Sequence, residues 1–216
     1  MGTRFPLPEG ARLRVLSVSA RIEVEAEDVQ DIEIEPGDRR VEVSDDGHVV
    51  ETRTRATNLK ITVPEGSNVS VGSVSGNVSL KGRFGSVKVS SVSGHIEVDE
   101  TDGDVDIRSI SGHLEVGRCG GRCRANTKSG RIEIDWVGKE VRAQTLSGGI
   151  EVGTAGQGDM ELRTISGKIE VAVDPGRHPN ARLKTLSGRA EIELPPGSDF
   201  QIRARTISGS IRVEEG

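Results

Sequence analysis

The sequence predicts an all-β fold: a single-stranded β-helix (β-solenoid) of 18 to 21-residue coils with parallel strands and an irregular N-terminal cap. Three observations predict it. A nine-residue phrase recurs along the chain, as in RTISGKIEV (163–171) and RTISGSIRV (205–213). The glycine inside the phrase returns at a nearly constant step: Gly76, Gly94, Gly112, Gly130 and Gly148 are 18 residues apart, and the steps to Gly167, Gly188 and Gly209 are 19, 21 and 21. A fixed step with small insertions is how one coil per repeat is written. The composition agrees, because 28 glycines and only 2% aromatic residues leave Val, Ile, Leu and Ala to fill a core of short strands and tight corners.

The chain reads as one domain, 1–216, with 1–71 as irregular N-terminal coils or cap and 72–216 as regular coils. MGTRFPLPEG contains no apolar run of signal-peptide length, and no stretch approaches the roughly 20 apolar residues of a membrane span, so a cytoplasmic location is expected. A first copy of the phrase, LSVSARIEV (16–24), carries Ala20 in place of the glycine, which predicts a relaxed corner. DIEIEPGDRRVEVSDDGHVV (31–50) then reads as strands joined by the turns EPGD and SDDGH, in hairpin fashion.

From residue 72 the copies align as columns. Val78, Ile96, Leu114, Ile132, Ile150, Ile169, Ala190 and Ile211 share one position, and Leu80, Val98, Val116, Ile134, Val152, Val171, Ile192 and Val213 the position two further on. A second pair holds Val87, Val105, Cys123, Val141 and Met160, then Val89, Ile107, Ala125, Ala143 and Leu162. Alternation with polar residues inside each pair is the signature of strands with one face buried. The residue before Ser-Gly (Val74, Val92, Ile110, Lys128, Leu146, Ile165, Leu186, Ile207) is expected as a fifth core column. Five such side chains cannot offset the ordering of a whole coil, so stability must come from stacking neighbours. The insertions DPGRHP (174–179) and PPGSD (195–199) carry turn residues for widened corners, and the last coil, RTISGSIRVEEG, lacks an obvious cover apart from the charges of Glu214 and Glu215.

From FPLPEGARLRVLSVSARIEV to RTISGSIRV, the repeated SG-x-I-x-V unit resembles the bacterial putative-adhesin family, a domain-of-unknown-function group of β-solenoids. The resemblance implies a β-helical fold and an adhesin-like module, and its motif carries no catalytic signature.

The charge balance of 29 basic and 34 acidic residues argues against generic attraction to nucleic acid or anionic lipid. The candidate interaction stripe is local: Arg108, Arg124, Arg142, Arg163, Arg182, Lys184, Arg203 and Arg205 occupy outward positions and suit a protein or polyanion surface. With no interleaved aromatics, sequence-specific nucleic-acid binding is not expected. An acidic column (Glu97, Glu115, Glu133, Glu151, Glu170, Glu191) needs bound cations such as calcium or an adjacent basic column to hold its stacked charges; a polar, often basic column (His95, His113, Arg131, Lys168, Arg189) runs beside it, so neutralisation is the favoured reading over a cation-binding ladder, and acidic-to-basic pairing of two rods is also offered. Stacked His95 and His113 stand about 4.8 Å apart, within reach of a shared metal, but they fall within the ordinary variation of a polar column. Cys119 and Cys123 lack a second ligand pair for zinc, and Cys123 falls in the core column.

No catalytic, cofactor-binding or metal residues are assigned, and no cofactor is expected. Ser73, Ser91, Ser109, Thr127, Thr145, Thr164, Thr185 and Thr206 stack as a hydroxyl ladder of the sort that binds ice, but they flank a glycine corner, where hydrogen-bonded ladders are the stronger expectation. The function expected is a non-enzymatic scaffold or interaction module that binds a partner or self-associates. A polysaccharide-acting β-helix enzyme is the alternative, and a cleft of clustered carboxylates with an exposed aromatic platform, for which Trp136 is the candidate, would favour it.

Overall fold

The structure is a computed structural model that describes residues 3–6, 12–35, 40–43, 49–54, 58–155, 158–173, 180–196 and 201–215. Both insertion loops of the repeat fall wholly or mostly outside them, as does most of the EPGD and SDDGH turns. The described residues form one continuous sheet of 21 strands wound into a solenoid, without a helix.

The N-terminal strands are β1 (Thr3–Pro6), β2 (Arg12–Ser19), β3 (Arg21–Glu27), β4 (Asp31–Glu35), β5 (Arg40–Val43), β6 (Val49–Thr54) and β7 (Asn58–Pro64). β8 (Asn68–Ser75) and β9 (Val78–Phe84) begin the regular stack. Chain order and stacking order differ here. The β2–β3 coil lies between two others: Val15 pairs with Thr52 of β6 on one side and Val71 of β8 on the other, while Val24 lies between Ile61 of β7 and Leu80 of β9. The chain therefore leaves its first coil through β4 and β5, lays down β6–β7 outside it, and returns to its inner side. The end is finished by antiparallel strands, with β5 on β6, β4 on β7 and β1 on β4. Alternation in DIEIE makes β4 suit this place, because Ile32 and Ile34 are fully buried while Asp31 and Glu35 face outward. Only the second of the two predicted turns joins paired strands, β5 and β6, since β4 pairs with β7 and β1.

Onward, each coil contributes two strands: β10 (Val87–Ser90) and β11 (Ile96–Thr101), β12 (Val105–Arg108) and β13 (Leu114–Cys119), β14 (Cys123–Ser129) and β15 (Ile132–Val137), β16 (Val141–Ser147) and β17 (Ile150–Ala155). In β18 (Met160–Ala172) and β19 (Ala181–Leu194) pairing runs unbroken through the corner, and β20 (Ile202–Arg205) with β21 (Ser208–Glu215) closes the chain. Coil-to-coil pairing from β8 to β21 is parallel.

The four strand columns form the core, and every member from Val78 to Ile192 is at most 5% exposed. The fifth column is a correction. Val74, Val92, Ile110, Leu146, Ile165 and Leu186 are 43–49% exposed, and Ile207 is 78% exposed. Their inward place is taken by the preceding Ser or Thr, because the strand's two-residue alternation continues unbroken: Val87, Val89 and Ser91 point in, Val92 points out. The hydroxyl is useful there, since it donates to the carbonyl two residues on and helps turn the corner, as in Ser91 Oγ to Ser93 O (3.1 Å) and Thr145 Oγ1 to Ser147 O (3.3 Å). From Ser73 to Thr185 this ladder is at most 8% exposed, whereas the serines before the glycines, Ser111, Ser129 and Ser147 among them, face outward.

Glycine completes the corner. Gly130 has φ +140°, and a Cβ there would lie 1.9 Å from the carbonyl oxygen of Gly112 in the preceding coil. Ala20, at the equivalent corner of the first copy, does not have a positive φ, which is the relaxed geometry expected.

Candidate interaction groove

The pleat that points Cys123, Ala125 and Thr127 inward sends Arg124, Asn126 and Lys128 outward, and stacking turns each into a column. The predicted cationic stripe resolves into two adjacent columns on this face. Arg108, Arg163, Lys184 and Arg205 stand in one, separated by Asn126 and Gln144. Arg124, Arg142, Arg182 and Arg203 stand in the other, interrupted by Glu161 and bordered by Asp106.

The acidic interruptions neutralise part of the stripe. Arg108 Nη2 lies 3.1 Å from Asp106 Oδ2, Arg142 Nε lies 2.7 Å from Glu140 Oε1, and Arg163 pairs with Glu161. Among the described residues, Arg124, Arg182, Lys184, Arg203 and Arg205 have no carboxylate partner, so free positive charge gathers toward the C-terminal coils.

Between the first cationic column and the exposed apolar column runs a groove of about 650 Å³. One wall is Arg108, Asn126, Gln144, Arg163, Lys184 and Arg205, and the other is Lys128, Leu146, Ile165, Leu186 and Ile207. Its floor is the hydroxyl ladder, from Ser109 to Thr185. Charge and an apolar ridge thus lie side by side along the rod. The ridge escaped sequence reasoning because apolar residues were assigned inward. The signal was available in the parity of the strand, which places Ser91 with Val87 and Val89.

The opposite face carries the acidic ladder. Arg131 Nη1 lies 3.0 Å from Glu133, Lys168 pairs with Glu170 and with Glu191 (2.6 Å), and Arg189 lies 3.5 Å from Glu191. The hydrogen bond that Lys168 donates holds Glu191 below the usual carboxylate range, and donating to the carboxylates of Glu170 and Glu191 holds Lys168 above the usual lysine range. A shallow depression of about 210 Å³ lies over Glu151, Glu170 and Glu191. Trp136 is covered by the Arg118 guanidinium, 3.9 Å from its ring centre. Cys119 and Cys123 are free thiols and fully buried, and the contact with Cys119, together with burial, pushes the Cys123 thiol up. His95 and His113 stack with ring centres 5.1 Å apart. His48 and His178 lie outside the described residues.

The architecture defines a β-solenoid with a charged and apolar groove along its length. The chain belongs to the Toastrack DUF4097 family, which matches residues 46–215. Among solved structures, a putative adhesin from Parabacteroides merdae ATCC 43184 shares the fold, with TM-score 0.61 at 9% identity over 100% of this chain and 96% of that one. A putative adhesin from Bacteroides fragilis NCTC 9343 aligns with TM-score 0.38 at 13% identity over 99% of this chain and 96% of its own. No curated protein matches the chain. Among the described residues no helix is long and apolar enough to cross a membrane.

Proposed function

We propose that this chain is a non-enzymatic interaction module that binds a protein partner along the groove between Arg163, Lys184, Arg205 and the ridge of Leu146, Ile165 and Leu186. The observation that carries this reading is the juxtaposition of a cationic column, in which Lys184 and Arg205 have no carboxylate partner among the described residues, with half-exposed aliphatic side chains over several consecutive coils. A contiguous exposed apolar strip beside charge is the surface expected of a binding site. A pure polyanion would use the cations and leave the ridge in water. An extended protein segment carrying both acidic and aliphatic side chains uses both.

An enzymatic reading finds less support. A general acid among the clustered carboxylates would need a raised pKa, whereas Glu191 is lowered, and Trp136 is occupied by Arg118. The name of the Parabacteroides merdae neighbour, a putative adhesin, is compatible with a binding role.

The test compares peptides selected by display on the purified protein with a sulfated polyanion as competing ligand, using Lys184→Glu/Arg205→Glu and Leu186→Ser. Selected peptides that are acidic and aliphatic, and that lose affinity in both variants while the melting temperature of each holds, support the reading. If the polyanion binds strongly and Leu186→Ser has no effect, the groove is a polyanion site. A salt-sensitive particle mass above 23.0 kDa in light scattering would instead make a second copy the occupant.

A further inference from the structure

The geometry points to a divalent transition-metal site formed by His95, His113 and Glu115 on the face opposite the groove, a site independent of the binding role proposed above. One ligand atom from each of the three lies within 4.8 Å of the other two. His95 Nε2 is 3.7 Å and His113 Nε2 is 3.9 Å from Glu115 Oε2.

The backbone builds this arrangement. His95 and His113 directly precede β11 and β13, whose register sets Glu97 opposite Glu115 and Ile96 opposite Leu114. Each histidine carbonyl is tied to the coil before it, with Val78 N donating to His95 O and Ile96 N to His113 O, both at 2.9 Å. The His95 N–H donates to Asn77 Oδ1 at 3.2 Å. The imidazoles consequently stand nearly parallel, 12° apart, with both Nε2 atoms directed to the same carboxylate. Neighbours on either side limit the cluster to this pair of coils, since the same column continues as Asn77 and Arg131, and the latter engages Glu133.

Ligand chemistry selects the ion. Two imidazoles and one carboxylate suit Zn²⁺ or a similar borderline cation, whereas Mg²⁺ and Ca²⁺ prefer oxygen alone. Bonds of about 2.0–2.2 Å in a tetrahedron place neighbouring ligand atoms roughly 3.4 Å apart, so each histidine nitrogen must close on Glu115 by about half an ångström or less, and the two imidazole nitrogens, which lie within 4.8 Å of each other, must tilt together to the same spacing. The side chains are 32–42% exposed and free to make that movement. Glu133 Oε2, 3.2 Å from His113 Nε2, stands next in line, and the metal takes the place of any proton shared between them, which leaves to solvent. Water or Glu133 completes the fourth position.

The experiment is Zn²⁺ titration of the full chain without a polyhistidine tag, read by calorimetry and by the visible spectrum of the Co²⁺ form. One Zn²⁺ per chain is expected, with affinity at least about tenfold weaker in His113→Gln and in His95→Gln. Glu151→Gln, which alters the same acidic ladder without a histidine beside it, should bind as the wild type does, and millimolar Ca²⁺ or Mg²⁺ should not compete. The column already accepts Asn77, Arg131 and Lys168, so the glutamine variants are expected to fold, and circular dichroism checks this. Absence of stoichiometric uptake overturns the site. So does uptake that survives His95→Gln/His113→Gln, or that falls equally in Glu151→Gln.

Discussion

At Gly130 the backbone holds φ at +140° with the carbonyl of Gly112 pressed against the place where a side chain would begin. Strain and collision therefore act together, and Gly130→Ala is expected to cost on the order of 3 kcal/mol or more in chemical denaturation. The hydroxyl ladder beside it allows a finer comparison. Thr145 Oγ1 donates to Ser147 O at 3.3 Å, whereas Thr185 Oγ1 is buried with no partner among the described residues. Thr145→Val should cost about 1 kcal/mol, while Thr185→Val should be neutral or stabilising, because it removes a desolvated hydroxyl. Equal losses at the two positions would refute the assigned hydrogen bonds. Charge supplies a third case at Asp104, which accepts bonds from Arg122 Nη2 (2.7 Å) and the Arg122 backbone N–H (2.9 Å) and is held below the usual carboxylate range, chiefly by the Arg122 side chain. A depressed folded-state pKa stabilises fully above the unfolded value and is lost as pH falls through the folded one. Wild type should therefore lose its melting-temperature advantage over Arg122→Gln as the solution is acidified through that range, and keep it at neutral pH.

Strands translate these residue preferences into faces, and here the sequence was legible to different depths. Copies such as RTISGKIEV and KTLSGRAEI give both the coil length and the inward columns, because a repeat aligned with itself turns period-two alternation into a vertical register. Ile169 and Ala190 are paired as the alignment predicts. The corner was less legible, since hydrophobicity and parity disagree there. Ile165 is apolar and points out, while Thr164 is polar and points in, and the hydrogen bond of the threonine to Gly148 O decides the matter. The groove was consequently half visible: its cations were found, but the apolar wall of Leu146, Ile165 and Leu186 was assigned to the core. The split of the stripe into two columns required knowing which coils carry Asp106 and Glu161 beside the arginines. Mutations distinguish the two assignments. Ile132→Asp places a charge at a fully buried site and should unfold the protein, whereas Glu133→Lys in the next position should cost little. Leu186→Ser, on the exposed ridge, should cost about 1 kcal/mol or less, in contrast to the large loss a core column would give.

Stacking makes the molecule's stability a sum over neighbouring coils, so its two ends need not behave alike. At one end, β4 lays Ile32 and Ile34 over the core and β1 and β5 add antiparallel edges, which replace an exposed apolar layer with paired backbone. That arrangement depends on the chain's detour through β4 to β7 before β8, a crossing of sequence order that a repeat alignment does not reveal, because among β1 to β7 only β2 and β3 carry the phrase. At the other end, Ile211 and Val213 continue the core register from Ala190 and Ile192 yet are 42% and 50% exposed, and β20 and β21 pair on one side only among the described residues. Fewer neighbours mean a smaller opening free energy, so hydrogen exchange should show amides of 208–215 exchanging at least about tenfold faster than those of 150–152 and 169–171, with 190–192 between them. Protection at 22–24 should match the central coils, since that coil is enclosed on both sides although it comes first in the sequence. Uniform protection from end to end would mean that the rod opens as a single cooperative unit, and exchange at 22–24 as fast as at 208–215 would contradict the interleaved order of the N-terminal coils.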